Sequence, residues 1–121
     1  MFEQSQDPYW DWCIHGHFSF VESEIHRKLG QFKRYAVRNY SGRLKIGATD
    51  DPDERWYYHR ITRRWREMVV LWQTSSLRGI KLAENTIIQF AWDYDDIECL
   101  NEIASGYAYE SDYYYLYVLL G

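Results

Sequence analysis

The sequence is poor in cysteine and proline and contains no long apolar run. Two cysteines among 121 residues are too few for a disulfide framework, so we expect a reducing, cytoplasmic compartment. The longest apolar runs last only a few residues, which excludes a transmembrane helix, and the N-terminus lacks the features of a signal peptide. Two prolines and seven glycines exclude collagen-like and linker-like material. The length suits a single domain over residues 1–121.

Aromatic residues, in contrast, are abundant. They make up 19% of the chain, with 12 Tyr and 6 Trp, which is more than a small core can bury. We therefore expect several rings at a surface, a groove or an interface, and a homo-oligomer with a ligand pocket between subunits is one way to use them.

Charge is distributed unevenly along the chain. Residues 1–25 contain five acids and no Lys or Arg, whereas residues 26–81 contain all 14 Lys and Arg with five acids. Residues 82–121 contain eight acids and no Lys or Arg. A basic middle between acidic ends predicts that a polyanion binds in the middle. The alternative is that basic and acidic segments neutralise each other across one fold.

Apolar spacing and turn residues predict an α+β fold with a β-β-α-β-α core. The core, residues 31–92, follows an N-terminal extension, residues 1–30, in which a short strand at 18–21 precedes a helix that stops at Gly30. The core begins with a hairpin of strands 32–39 and 43–48, and continues with a helix from Asp51 to about residue 64, a strand at 67–74 and a helix from Ser75 or Ser76 to residue 91. An acidic, Tyr-rich segment, residues 93–121, adds a helix at 95–104 and a strand at 113–120. The small sheet is expected to be mostly antiparallel and flanked by helices.

One spacing pattern carries most of the functional information. Arg55 lies eight residues after Gly47, and His59 lies four residues after Arg55, on one face of the predicted helix. The residues with matching types and order are Tyr35, Gly47, Arg55, His59 and Glu84, and Lys45 stands at a position where the pattern has a tyrosine. In this pattern, residues 33–92 resemble the GIY-YIG nuclease superfamily, and Lys45 makes the chain most similar to its phage-associated T5orf172/MUG113-like branch.

The resemblance implies a GIY-YIG-like fold and metal-dependent hydrolysis of phosphodiester bonds in DNA. It implies that the catalytic residues are Tyr35, Lys45, Arg55 and His59. Glu84 would hold one Mg²⁺ or Mn²⁺, because a carboxylate suits the oxygen shell of a hard cation. The planar fork of Arg55 can donate two hydrogen bonds to a phosphate, while Tyr35 can position or deprotonate water. Lys45 can supply charge or act as a base.

Two further charged groups are candidates for partner binding. Arg60, Arg63, Arg64 and Arg66 lie in one stretch with Trp56, Tyr57, Tyr58 and Trp65, a mixture that suits phosphates and stacked bases. The alternative is an exposed helix whose aromatic side chains face the sheet. The acids at 93–112 form either a solvated surface, a mimic of nucleic-acid charge that binds a basic protein, or a screen for the chain's own site.

A second function is compatible with the same resemblance. The first of the family's two tripeptides is Lys33-Arg34-Tyr35 here and keeps only its tyrosine, while Lys45 replaces the tyrosine of the second. These altered tripeptides and the acidic flanks favour a catalytically inactive binding module, such as a phage-type inhibitor that binds a nucleic acid, a nucleotide or a host protein. Either function would operate in the cytoplasm of a bacterial cell or of a phage-infected host.

Cys13, His15 and His17 occupy alternate positions, so on a strand their side chains would share one face, and all three are residue types that bind zinc. A structural zinc site needs four ligands, however, so a partly buried strand or loop is the preferred interpretation.

Overall fold

The chain alternates helices and strands in a computed structural model that describes residues 7–62, 64–93, 98–99 and 111–121. The helices of this part are α1 (Phe18–Asn39), α2 (Pro52–Thr62) and α3 (Leu77–Asp93). Its strands are β1 (Arg43–Thr49), β2 (Glu67–Thr74), β3 (Glu98–Cys99) and β4 (Tyr114–Leu120). The predicted α+β class is confirmed. None of these helices is both long and apolar enough to cross a bilayer.

The C-terminal strand lies inside the sheet. The strand order is β2-β4-β1-β3, and β4 runs antiparallel to both of its neighbours. Its residue Tyr117 is paired with Gly47 of β1 on one side and with Val70 of β2 on the other. The two-residue strand β3 pairs with β1 in parallel, so the sheet is mostly antiparallel, as predicted.

The predicted hairpin is wrong, because residues 32–39 form the second half of α1. The predicted strand at 18–21 and the helix stop at Gly30 are wrong for the same reason: one helix of 22 residues covers the whole region. Its buried residues recur every three or four positions and are Val21, Ile25, Leu29, Phe32, Tyr35 and Ala36. This continuous apolar stripe outweighs the β propensity of the aromatic residues and the cost of about 1 kcal/mol for a glycine inside a helix.

Strand β4 takes the place of the predicted strand 32–39 as the antiparallel partner of β1. After α1, the observed order is β1-α2-β2-α3-β3-β4, so the first strand of the predicted β-β-α-β-α core is found at the end of the chain. Apart from the two-residue strand β3, the cyclic order of these elements is unchanged. The sheet consequently extends beyond residues 31–92, and the boundary at residue 30 falls inside α1.

The remaining elements agree closely with their local sequence signals. Asp51 caps α2 by accepting a hydrogen bond from the Glu54 backbone N–H at 3.1 Å. Ser76 caps α3 through the Gly79 N–H at 2.9 Å. Strands β2 and β4 cover 67–74 and 114–120, against predictions of 67–74 and 113–120. The predicted helix at 95–104 is wrong at Glu98–Cys99, which form β3, and its other positions lie outside the described residues.

The sheet separates two cores. Helices α1 and α3 cover one face, where Leu44 and Ile46 of β1 are fully buried. Helix α2 covers the other face around a smaller cluster formed by Trp56, Trp65, Met68, Tyr117 and Leu119. Because strand side chains alternate, Lys45 and Gly47 lie on the α2 face of β1. Of the residues predicted to be functional, Lys45 and His59 therefore lie on this second face, whereas Tyr35 and Glu84 come from α1 and α3.

Candidate active site

The α2 face brings the hydroxyl of Tyr117 against the imidazole of His59. Tyr117 Oη lies 3.1 Å from His59 Nε2, although the two residues are 58 positions apart in the chain. Both side chains are almost fully buried, with exposures of 4% and 5%. A tyrosine hydroxyl in the middle of a central strand needs a polar partner, and α2 supplies it.

Gly47 makes room for the Tyr117 ring. A Cβ atom at this position would lie 2.9 Å from Cε2 of Tyr117 and closer still to its Cζ and Oη. A side chain at position 47 would therefore displace the ring from its place between β1 and α2. The glycine that the sequence pattern singled out is needed so that an aromatic ring can approach the strand closely.

Arg55 lies one helical turn before His59 and borders an open cleft. The cleft has a volume of about 210 Å³ and is lined by Thr49, Asp50, Asp51, Glu54, Arg55 and Tyr58. The Arg55 side chain is exposed, and its guanidinium carbon lies 5.9 Å from the centroid of the Tyr58 ring. A guanidinium in this position is open to an incoming anion. Three carboxyl groups beside it oppose the approach of a polyanion to the cleft itself.

Burial and two nearby charges act on the proton of Tyr117. Burial is the largest cause and raises the pKa of the Tyr117 hydroxyl well above its usual range. The positive charge of Arg55 lowers this pKa, whereas the negative charge of Glu84 raises it further. The hydroxyl therefore keeps its proton at neutral pH and can donate it to His59 Nε2. The charges of Arg55 and Glu84 are both close enough to Tyr117 to act on its hydroxyl.

Glu84 reaches this region from α3, at the edge of the sheet. Its side chain is 6% exposed and accepts a hydrogen bond from the backbone N–H of Ala48. Burial raises the pKa of the Glu84 carboxyl to about 7. Its Oε1 atom is buried and has no hydrogen-bond partner among the described residues. A divalent cation would satisfy this oxygen, so the predicted metal ligand fits the site.

The described residues supply few other protein ligands for a metal. No group of three or more His, Cys, Asp and Glu side chains in this part of the chain is arranged to hold an ion. A cation at Glu84 would therefore take most of its oxygen shell from water and from phosphate, as magnesium commonly does. The Cys13–His15–His17 segment forms no such group either, and Cys13 is a half-buried free thiol whose pKa is raised by burial.

Lys45 lies beside this arrangement, while Tyr35 lies away from it. Lys45 is half-buried on β1, two residues before Gly47 and opposite Leu119. Tyr35 is buried among the residues of the α1–α3 core, on the opposite face of the sheet. Its hydroxyl belongs to a separate cluster, in which tyrosines surround the buried carboxyl of Glu67.

Tyr117 is the residue that sequence reasoning missed. It lies in an apolar run, residues 116–120, that continues without alternation. Such a run is typical of a strand buried on both faces, and thus of a central strand. The tyrosine inside this apolar run was the signal that could have identified a functional side chain on the central strand. The separation of about 70 residues between Gly47 and Tyr117 gave no local clue to their pairing.

The arginines predicted to bind nucleic acid are spread over the end of α2 and the loop that follows. Arg60 is half-buried on α2, and Arg64 is exposed with a left-handed backbone, φ 57°. Arg66 is exposed near the start of β2, and Arg63 lies outside the described residues. Most of the predicted acidic surface, residues 94–97 and 100–110, also lies outside them.

Comparison of the chain with family models, curated proteins and solved structures finds no match.

Proposed function

We propose that the protein is a small metal-dependent DNA endonuclease with a GIY-YIG-like site, acting in the cytoplasm of a bacterial cell or of a phage-infected host. The observation that carries the proposal is the contact of 3.1 Å between Tyr117 and His59. Arg55 lies one helical turn before His59, and Glu84 contacts the backbone of Ala48, the residue after Gly47 on β1. A buried acid–base pair, a guanidinium and a carboxylate with one unpartnered oxygen are the groups that phosphodiester hydrolysis requires.

Each side chain has a defined task in this proposal. The oxygen of Tyr117 accepts a hydrogen bond from the attacking water, and its own O–H donates to His59 Nε2. As the water attacks, one water proton passes to the Tyr117 oxygen and the Tyr117 proton passes to His59 Nε2. The water oxygen bonds to phosphorus as the bond from phosphorus to the leaving oxygen breaks. Arg55 donates N–H groups to the phosphate oxygens on which negative charge accumulates. A cation held by Glu84 would supply positive charge for the phosphate and the leaving oxygen.

In this proposal Tyr117 takes the role that the resemblance implied for Tyr35. The unchanged cyclic order of the elements supports the exchange, because β4 fills the position expected of the strand before β1. Gly47 supports it further, since the ring of Tyr117 lies where a Cβ atom would be. Lys45, two residues away on the same face, adds positive charge near the phosphate.

Cleavage of supercoiled plasmid and branched DNA, with Mg²⁺ or Mn²⁺, tests the proposal. We expect the wild type to nick DNA, and Arg55→Ala, Glu84→Gln and Tyr117→Phe each to lower the rate by roughly 100-fold or more. Arg27→Ala and Tyr35→Phe are the matched controls, since they remove the same chemical groups from α1, and both should cleave normally. Circular dichroism checks that each variant is folded. Undiminished cleavage by Glu84→Gln or Tyr117→Phe would contradict the proposed site.

One observation favours the inactive binding module instead. Asp50, Asp51 and Glu54 line the same cleft as Arg55 and reduce its attraction for phosphate. A folded wild type that cleaves no DNA under any metal condition would assign this second function. The ligand of the module would then be a nucleic acid, a nucleotide or a host protein.

A further inference from the structure

Two stretches of the chain lack acidic residues, and the fold brings parts of both to one end of the sheet. Residues 25–49 and 55–66 contain no Asp or Glu and hold 12 of the 14 Lys and Arg. The first stretch supplies most of α1 and all of β1, and the second supplies the last eight residues of α2 and the loop before β2. Strands β1 and β2 begin where β4 ends, so the cations near these three termini are neighbours.

We call this region the basic end and define it by Lys33, Arg43, Arg64 and Arg66. Backbone hydrogen bonds fix its geometry: the Arg43 N–H donates to the Gly121 carbonyl, and the Arg66 N–H donates to the Leu120 carbonyl, both at 2.9 Å. Arg43 and Arg66 therefore flank the end of β4, with about 10 Å between their backbones. Lys33 joins them from α1 by donating to the Gly42 carbonyl at 2.6 Å.

Two of these guanidinium groups are held against aromatic rings. The guanidinium carbon of Arg43 lies 4.9 Å from the centroid of the Trp65 ring, and that of Arg66 lies 5.0 Å from the Tyr40 ring. The Arg43 Nε also donates to Ser41 Oγ at 3.0 Å. Stacking restrains an otherwise flexible side chain, so less conformational entropy is lost when the planar fork binds an anion.

The opposite end of the sheet carries acids. Asp50, Asp51 and Glu54 follow the end of β1, and Asp112 precedes β4. Ser111 Oγ donates to an Asp50 carboxylate oxygen at 3.2 Å, which joins the two segments. Two acids also lie at the basic end: Glu67 follows Arg66 and has a pKa raised by burial, and Glu98 is the register partner of Arg43. The four cations outnumber these two acids, so the two ends still differ in charge and the field directs a polyanion toward the basic end.

We propose that the basic end is a docking surface for the phosphate backbone of DNA, with Arg43 and Arg66 as its principal contacts. The choice of DNA as the polyanion rests on the proposed function, but docking requires neither a metal nor cleavage. Each stacked guanidinium donates to phosphate oxygens, while Lys33 and Arg64 add charge. Tyr117 lies three residues before Leu120 on β4, about 10 Å along the strand, so docked DNA lies within reach of the candidate active site.

Binding of a labelled DNA duplex, measured by fluorescence anisotropy in EDTA over a range of salt concentrations, tests the proposal. One phosphate contact contributes about 0.9 to the magnitude of the slope of the logarithm of the binding constant against the logarithm of the salt concentration. Between 1 M and 0.1 M salt, this contribution raises the affinity roughly eightfold. We therefore expect Arg43→Ala and Arg66→Ala each to bind roughly eightfold more weakly at 0.1 M salt, with a slope smaller by about 1. Arg43→Lys and Arg66→Lys keep the charge without the stacked fork and should recover the slope but only part of the affinity.

Arg27→Ala is the charge-matched control, because Arg27 is 67% exposed on α1 and lies 3.7 Å from Glu24. Its affinity should equal that of the wild type. If Arg27→Ala lost as much DNA affinity as Arg43→Ala and Arg66→Ala, the proposal would be overturned in favour of diffuse attraction by net charge. Absence of salt-dependent DNA binding in the wild type would also overturn it, and binding to phosphatidylserine vesicles but not to DNA would assign the surface to membranes. If Arg43→Ala does not fold, the Arg66 variants and Arg43→Lys give the same test.

The outcome is independent of catalysis. The binding pattern described above, obtained with a wild type that cleaves no plasmid, would establish the docking surface and reject the nuclease. Normal cleavage by Arg43→Ala and Arg66→Ala with unchanged DNA affinity would retain the nuclease and reject the docking surface.

Discussion

The ring of Tyr117 on β4 lies against the backbone of Gly47, its cross-strand partner on β1. This contact links the topology to the candidate active site. Only a strand placed beside β1 can deliver the ring there, and only a glycine on β1 can accept it. The ring in turn carries its hydroxyl to His59, which α2 supplies from above the sheet.

Gly47→Ala should destabilise the protein because the new methyl group and the Tyr117 ring require the same space. We expect a loss of about 1 to 3 kcal/mol in the free energy of unfolding, as for overpacked cores, measured by urea denaturation. The matched control is the same substitution in a Tyr117→Leu background, where the ring is gone and the loss should be much smaller. Additive effects of the two substitutions would show that the ring and the methyl group do not compete.

Tyr117→Phe should lower stability through the loss of one hydroxyl while the ring stays in place. The hydroxyl bonded to His59 is buried, so its removal should cost about 1 to 2 kcal/mol, including the polar nitrogen left without this partner. Tyr115→Phe removes the same group from a half-buried ring two residues away on the same strand face and should change stability by less than about 0.5 kcal/mol. Equal costs for the two substitutions, measured by urea denaturation, would argue against a buried Tyr117–His59 hydrogen bond.

Glu84 should make stability fall as the pH rises from about 4.5 to about 7, because burial raises the pKa of its carboxyl from 4.5 to about 7 in the folded protein. In this window the folded state binds more protons than the unfolded state, so the free energy of unfolding decreases with pH. Glu84→Gln cannot titrate and should therefore gain stability relative to the wild type across the window. Urea denaturation in EDTA at several pH values measures the difference between the two proteins. A difference that is independent of pH would exclude a raised pKa at Glu84.

Local signals were sufficient for the middle of the chain. The Asp51–Pro52 start of α2 and the β-branched and aromatic run of β2 identify those elements without reference to the rest of the fold. The same short segment places Arg55 and His59 on one helix. Those parts of the candidate site could therefore be predicted, because spacing along a helix determines which side chains are neighbours.

Distant pairing could not be predicted in the same way. Whether β1 pairs with a strand before it or with β4 depends on contacts between residues that are far apart in sequence, and local propensity does not report them. Residues 32–39 have strand-like composition, yet their apolar positions also continue the helical stripe of α1. The sequence consequently predicts Tyr35 as the tyrosine of the site, whereas the tyrosine that lies beside Gly47 and His59 in the structure is Tyr117 on β4.

Substitutions at Gly30 distinguish the continuous helix α1 from a helix that ends there. Inside a helix, Gly30→Ala should raise the free energy of unfolding by about 0.5 to 1 kcal/mol, because a Cβ atom at this position would meet only Arg34 Nη1, at an ordinary 3.6 Å. Gly30→Pro should lower it by about 3 kcal/mol or more through the loss of a backbone hydrogen bond and a clash with the preceding turn. At the end of a helix, where a glycine takes the left-handed conformation, Gly30→Ala would instead be destabilising. The sign of the change in the free energy of unfolding, measured by urea denaturation of Gly30→Ala, therefore decides whether residues 32–39 continue helix α1. If these residues are helical, they cannot form the strand beside β1, and β4 is its antiparallel partner.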